Sequence, residues 1–162
     1  MMHEVSKTIE IDYGHTLPAH FSFCNQIHGH RAKIVVSVRG FLNHSPGSSE
    51  GMVMDFIFLK QIMMDKIHKV LDHGFAIWKE DKKVICTLGT AGMTTLDFIK
   101  ERNTKILITD MPPTAEVLVK WAYDEVWKGL KEQYPREVEN GDYTITSVVW
   151  YETPNSYARY PA

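Results

Sequence analysis

His15, His28 and His30 are the side chains in this sequence best spaced to do chemistry together. His28 and His30 are two apart in Ile27-His28-Gly29-His30. In an extended chain such residues point to the same face, so both imidazoles can reach one ion. His15 directly follows an alternating segment, and antiparallel pairing brings the end of one strand beside the start of the next, so a third nitrogen can reach the same point. Three imidazoles with one open position make a catalytic zinc arrangement, whereas a structural site closes its shell with a fourth protein donor. A His-x-His pair also serves plain surface strands, and His20, in the Pro18 to Phe23 loop, is a rival third ligand.

Cys24 stands four residues before His28. A thiol near a cation and imidazoles has its thiolate favoured and can act as a proton-transferring base. A cysteine packed beside Phe21, Phe23 and Ile27, or one closing a Cys-His3 structural site, fits the spacing as well. In Asp72-His73 a carboxylate can orient an imidazole for acid-base work, although the dipeptide by itself is common. Glu152 shares a strand face with Val148 and Trp150, where a carboxylate needs a partner. A bound heterocycle with adjacent N–H donors offers two, and a local salt bridge is the simpler alternative.

These groups need elements to position them. Glu4 to Tyr13 alternates, with Val5, Lys7, Ile9, Ile11 and Tyr13 on one face, as in a half-buried strand. Lys33 to Leu42 reads as a second strand, followed by a turn-rich stretch from Asn43 to Gly51. Asp55 can cap a helix whose apolar stripe runs through Leu59, Ile62, Met63, Ile67, Val70 and Leu71 and ends near Asp72. Thr114 can cap a second, with Glu116 in its first turn, that stops at Tyr134-Pro135. Residues 74–111 read as an insertion holding a strand-like run (Lys83 to Leu88), a short helix (Thr95 to Arg102) and a further strand-like run (Lys105 to Thr109). Tyr143 to Glu152 alternates again, and Tyr157 to Tyr160 forms a last strand after the Thr153-Pro154-Asn155 turn. The order predicts an antiparallel sheet with its helices on one face, an α+β class.

Bulk properties narrow the function. A chain of 162 residues with 44% hydrophobic content is read as one domain, 1–162. A net charge of −2 supplies no basic excess for nucleic acid. The first residues lack the basic start and apolar run of a signal peptide, and no apolar run is long enough to span a bilayer, so the expected location is cytoplasmic. The two cysteines, Cys24 and Cys86, lie in unlike contexts, which speaks against a disulfide.

GHTLP (residues 14–18), CNQIHGH (24–30), GMVMDFIFLK (51–60), LDH (71–73), PTAE (113–116) and VVWYET (148–153) together resemble the 6-pyruvoyltetrahydropterin synthases and the related 6-carboxytetrahydropterin synthases of the queuosine and deazapurine pathway. The stretches fall in the family's order and span most of the chain. The resemblance implies the tunnelling fold: a four-stranded antiparallel sheet with two helices, assembled into ring-like, trimer-based homo-oligomers (a hexamer) with sites at subunit interfaces. It implies His15, His28 and His30 as Zn2+ ligands, Cys24 as general base, Asp72 and His73 as a proton-relay pair, Glu152 as anchor of the pterin ring, and Thr114 as a pterin contact from a neighbouring subunit. The three-residue gap between Cys24 and His28 looks like the carboxytetrahydropterin branch. The implied reaction converts 7,8-dihydroneopterin triphosphate to 6-carboxy-5,6,7,8-tetrahydropterin, acetaldehyde and triphosphate. Two alternatives stay open: a pyruvoyl enzyme that only eliminates triphosphate, and a non-catalytic zinc-stabilised module. Two departures from the family pattern, Gly74-Phe75-Ala76-Ile77-Trp78 where a Leu-Asn pair is common and Ala115 where Ser or Thr is frequent, leave the triphosphate site undefined.

Overall fold

Alternating apolar residues build the first hairpin. In the computed structural model, which describes residues 1–82, 84 and 105–162, β1 (Met2–His15) pairs antiparallel with β2 (His28–Phe41). The register sets Ile9 against Ile34, Ile11 against Ala32, Tyr13 against His30 and His15 against His28. The odd-numbered residues from Ile9 to His15 are buried and the intervening even-numbered ones are not, so one face of the hairpin carries the core.

That face is covered by helices. Asp55 Oδ1 accepts the Ile57 N–H at 2.8 Å and so caps α1 (Phe56–Met63). The helix runs on through a π-helical turn (Met64–His68) into α2 (Lys69–Leu71). Thr114 Oγ1 accepts from Val117 N–H and caps α3 (Ala115–Gln133), and Pro135 then opens the short α4 (Pro135–Glu139). Leu59, Met63, Ile67 and Leu71 from the first helical stretch meet Leu118, Ala122, Val126 and Leu130 from α3 over Ile34, Val36, Val148 and Trp150 of the sheet. Each fully buried aliphatic side chain contributes about 1.5–3 kcal/mol relative to exposure. Gly129 permits the closest helix approach, because a Cβ there would lie 2.7 Å from Ile62 Cγ2.

The sheet has six strands rather than four, in the order β4-β3-β1-β2-β5-β6. β5 (Tyr143–Thr153) lies antiparallel on β2, and β6 (Ser156–Tyr160) folds back on β5, as the alternation and the turn predict. The two additional strands come from the stretch read as an insertion: β3 (Gly74–Trp78) runs parallel to β1, and β4 (Ile106–Thr109) parallel to β3, so the sheet is mixed and not purely antiparallel. β4 falls within the strand-like run Lys105 to Thr109 read from the sequence, whereas the five-residue β3 carries too few alternating positions to declare itself. The strand-like run Lys83 to Leu88 and the helix Thr95 to Arg102 lie outside the described residues, apart from Val84, which is buried and helical. Among the described residues no helix is long and apolar enough to cross a membrane.

Candidate metal and proton-transfer site

The β1–β2 register closes at His15↔His28, and His30 stands two residues up the same face. Three imidazoles therefore converge, with ligand atoms all within 4.8 Å of one another, the one such group among the described residues. His20 is not in it. Its Nδ1 faces the Ser22 hydroxyl at 2.8 Å and its ring stacks on Phe21, so it is His15 that groups with His28 and His30.

Hydrogen bonds define the tautomers. His15 Nδ1 donates to the Pro113 carbonyl at 2.7 Å, and His28 Nδ1 donates to the Gln26 carbonyl at 2.8 Å. Each Nε2 then carries a lone pair, and the two Nε2 atoms are 3.0 Å apart. Burial pushes the His15 and His30 pKa values down, against the opposing pull of Glu152, so the rings are kept neutral. Two lone pairs at that distance repel unless a cation or proton stands between them. Among the described residues His30 Nε2 is buried with no hydrogen-bond partner, so its lone pair is free for the same point. The donor set suits zinc or a similar divalent ion, and the carbonyls on Nδ1 supply the outer hydrogen bonds that orient metal-binding histidines.

Glu152 and Tyr13 border this cluster. Glu152 Oε1 lies 3.5 Å from His15 Nε2 and 3.9 Å from His30 Nε2, and it accepts the Tyr13 hydroxyl at 3.2 Å. Tyr13 is buried, packs edge-on to Trp150, and has its own pKa pushed up by burial and by the Glu152 charge. The carboxylate is about one-quarter exposed (24%) and faces a cleft of about 480 Å³ shared with His30, Arg31, Lys33 and Tyr151. Glu152 thus keeps a free side for a ligand while touching two imidazoles.

Cys24 lies in a single 3-10 turn (Phe23–Asn25) in the loop between β1 and β2, where the Ser22 hydroxyl caps its N–H. The loop is tied to the strand end by Leu17 N–H to Cys24 O (2.9 Å) and Thr16 Oγ1 to Asn25 O (3.1 Å). The sulfur does not join the three-histidine group. The apolar neighbours that would have buried it do not: Phe21 and Phe23 are 95% and 91% exposed.

Asp72 and His73 occupy the junction between α2 and β3. Asp72 Oδ2 meets His73 Nδ1 at 2.8 Å and Oδ1 accepts the Asp12 N–H at 3.0 Å. Burial raises the Asp72 pKa, but those two hydrogen bonds together with the charges of His68 and His73 outweigh it and hold the carboxyl below its usual range. His73 has a positive φ of 57° and donates its N–H to Asp12 O at 2.6 Å. Gly74 follows because a Cβ there would come within 2.8 Å of Lys105 O and 2.9 Å of Leu71 O. His73 shares a cleft of about 570 Å³ with Tyr13, His28, His30 and Phe75, so it opens onto the same surface as two of the three clustered histidines. Thr114 spends its hydroxyl capping α3, one residue after the Pro113 carbonyl that holds His15. A separate cavity of about 440 Å³ between Phe58, Tyr134 and Tyr143 lies at the other end of β2, and among the described residues no metal-binding group converges on it.

Sequence reasoning overlooked Tyr13, the Pro113 and Gln26 carbonyls, and His68. Backbone carbonyls leave no signature in residue type. A tyrosine or histidine at a strand or helix position reads as packing until its neighbours are known.

A family model described as 6-pyruvoyl tetrahydropterin synthase matches residues 4–162. A Haemophilus influenzae protein named 6-carboxy-5,6,7,8-tetrahydropterin synthase is 28% identical over 161 residues, covering 98% of this chain and 99% of that one. A protein of the same name from Aquifex aeolicus is 28% identical over 177 residues, covering 99% and 98%. Among solved structures, the 6-pyruvoyltetrahydropterin synthase of Plasmodium vivax superposes with a TM-score of 0.69 at 17% identity, covering 98% of this chain and 96% of that one. An uncharacterized protein from Wolinella succinogenes superposes with a TM-score of 0.68 at 23% identity, covering 98% and 97%.

Proposed function

Because the chain belongs to the 6-pyruvoyl tetrahydropterin synthase family, we propose that it is a zinc-dependent 6-carboxy-5,6,7,8-tetrahydropterin synthase. The substrate is 7,8-dihydroneopterin triphosphate, and the products are 6-carboxytetrahydropterin, acetaldehyde and triphosphate, a carbon-carbon lyase step of queuosine and 7-deazapurine biosynthesis. The observation that carries the reading is the convergence of His15, His28 and His30 on one point with their Nδ1 atoms turned outward. The names borne by the full-length relatives favour the carboxy branch over triphosphate elimination alone.

When bound, zinc supplies Lewis-acid polarisation of a substrate oxygen, which makes the neighbouring C–H more acidic. The chain's own residues do the rest. Glu152 accepts the amino and ring N–H groups of the pterin and orients the side chain toward the histidines. Cys24 takes a proton as thiolate, and His73, oriented by Asp72, returns or relays one during the internal redox shift and bond cleavage. Thr114 contacts the pterin from a neighbouring subunit of a trimer-based hexamer in the cytoplasm. Mass spectrometry of the products from 7,8-dihydroneopterin triphosphate tests the reading. 6-Carboxytetrahydropterin with acetaldehyde is expected, the pyruvoyl product would reassign the branch, and no turnover by metal-loaded protein would favour a binding module.

A further inference from the structure

Asp72 is the C-terminal cap of α2, so its carboxylate sits at the negative end of a helix dipole, where an anion is disfavoured and cations are favoured. Four groups answer that charge. The Asp12 N–H takes Oδ1, Lys105 Nζ donates to the Asp72 backbone carbonyl at 2.9 Å, and two imidazoles face the single oxygen Oδ2: His73 Nδ1 at 2.8 Å and His68 Nε2 at 3.4 Å. His68 closes the π-helical turn Met64–His68, an irregularity that recurs at functional sites, and stands one helical turn before Asp72. Nothing else in the site uses His68. Its side chain is partly shielded, at 31% exposure, and Asp72 more so, at 14%.

We propose that His68 is a positioning residue for the Asp72–His73 relay: by sharing Oδ2 with His73 it holds the carboxylate in one rotamer and sets how much of its negative charge His73 feels. The inference rests on the reading of Asp72 and His73 as the proton-relay pair. An N–H or a protonated ring from His68 draws charge from Oδ2 and makes His73 the readier proton donor. Without His68 the carboxylate serves His73 alone, and His73 holds its proton more tightly. The other charged groups near the cluster are Asp12, paired with Arg31 at 2.9 Å, Lys105, and the Asp65–Lys69 pair on the same helical stretch. Carboxylates, lysines and arginines do not ordinarily titrate between about pH 5 and 8, whereas imidazoles and a thiol beside a metal, such as Cys24, do, so the His73 ring signal and not the kcat profile alone isolates the relay.

The test compares parent, His68→Ala and His68→Gln as zinc-loaded protein. It uses the pH dependence of kcat and KM on 7,8-dihydroneopterin triphosphate, with NMR titration of the His73 ring as a readout independent of turnover. His68→Ala is expected to raise the His73 midpoint by about 0.5 unit and to lower kcat about threefold to tenfold at unchanged KM. Glutamine, whose amide N–H reaches near the place of Nε2, should restore most of kcat. A histidine that only stabilises the helix end would lower Tm and leave the His73 midpoint where it was, and that result overturns the proposal. Full activity of His73→Ala would instead sink the relay reading beneath it, and the two failures are told apart by whether the NMR midpoint still moves with His68.

Discussion

His15, His28 and His30 hang from two long strands whose pairing runs unbroken from Met2↔Phe41 to His15↔His28, while Cys24 sits in one 3-10 turn of the connecting loop and His73 in a left-handed turn at the mouth of β3. In the strands, register fixes the face of every side chain, and a slip of one residue would put His15 on the opposite face from His28 and His30. In the loop, a few hydrogen bonds and one serine cap hold Cys24, with the preceding Phe21 and Phe23 facing outward. The difference suits two tasks. A metal needs ligands fixed to fractions of an ångström, whereas a proton-transferring group has to meet a substrate that arrives and leaves.

The sharpest way to break this division is to remove a strand ligand. His30→Ala should abolish stoichiometric zinc and all turnover, because the remaining His15 and His28 Nε2 atoms give only two donors. His15→Ala should do the same, and metal analysis of the purified variants checks both. Full zinc in His15→Ala would disprove the ligand set.

Cys24→Ala tests the other side. If the loop thiol is a base and not a ligand, zinc stays stoichiometric and turnover falls by about 10² to 10⁴. Atomic emission alongside single-turnover kinetics decides, and either loss of zinc or turnover at the parent rate overturns the assignment. Glu152 stands between the two regions, on a strand yet open to a cleft. Glu152→Gln keeps the shape and loses the charge, and since hydrogen bonds to charged groups are worth about 1.5–3 kcal/mol, pterin affinity should fall roughly tenfold to a hundredfold. Calorimetric titration with unchanged affinity would show that Glu152 serves only Tyr13 and the histidines.

The same contrast explains what could be read in the sequence. The long strands and both long helices were legible because each carries several periods of its apolar pattern and a cap of the right type, Asp55 or Thr114. The convergence of the three histidines followed from strand parity, which needs only the positions of His15, His28 and His30. β4 was legible as the run Lys105 to Thr109, but β3 and the parallel pairing of both strands were not, because a short strand's partner lies far along the chain, as in Phe75↔Ile106. The exposure of Phe21 and Phe23 was equally hidden, since residue type says what a side chain prefers and not whether a loop lets it have that. Thr114 was identified as a cap and as a ligand contact. Its hydroxyl is engaged in the first role.

The smallest effect separates the two regions by pH in the metal-free protein. His15 and His30 are held neutral by burial, so their folded pKa values lie below the ordinary value of about 6.5 that they regain on unfolding. Between those values the unfolded chain binds more protons, so stability rises with pH there. The contribution of the buried rings is therefore fully present above about pH 6.5 and is lost as pH falls through the lower, folded values. Glu152 opposes the shift in both histidines, and Glu152→Gln should deepen the loss. Bound metal competes with protons for the same Nε2 lone pairs, so loading the site should carry the decline to lower pH. Cys24→Ala, which removes no imidazole, should leave the slope of the curve as it is. Urea denaturation midpoints from pH 8 to pH 5, with and without zinc, measure all three. A metal-free curve that stays flat across that range would mean that the strand-borne histidines are no more shielded from water than the loop.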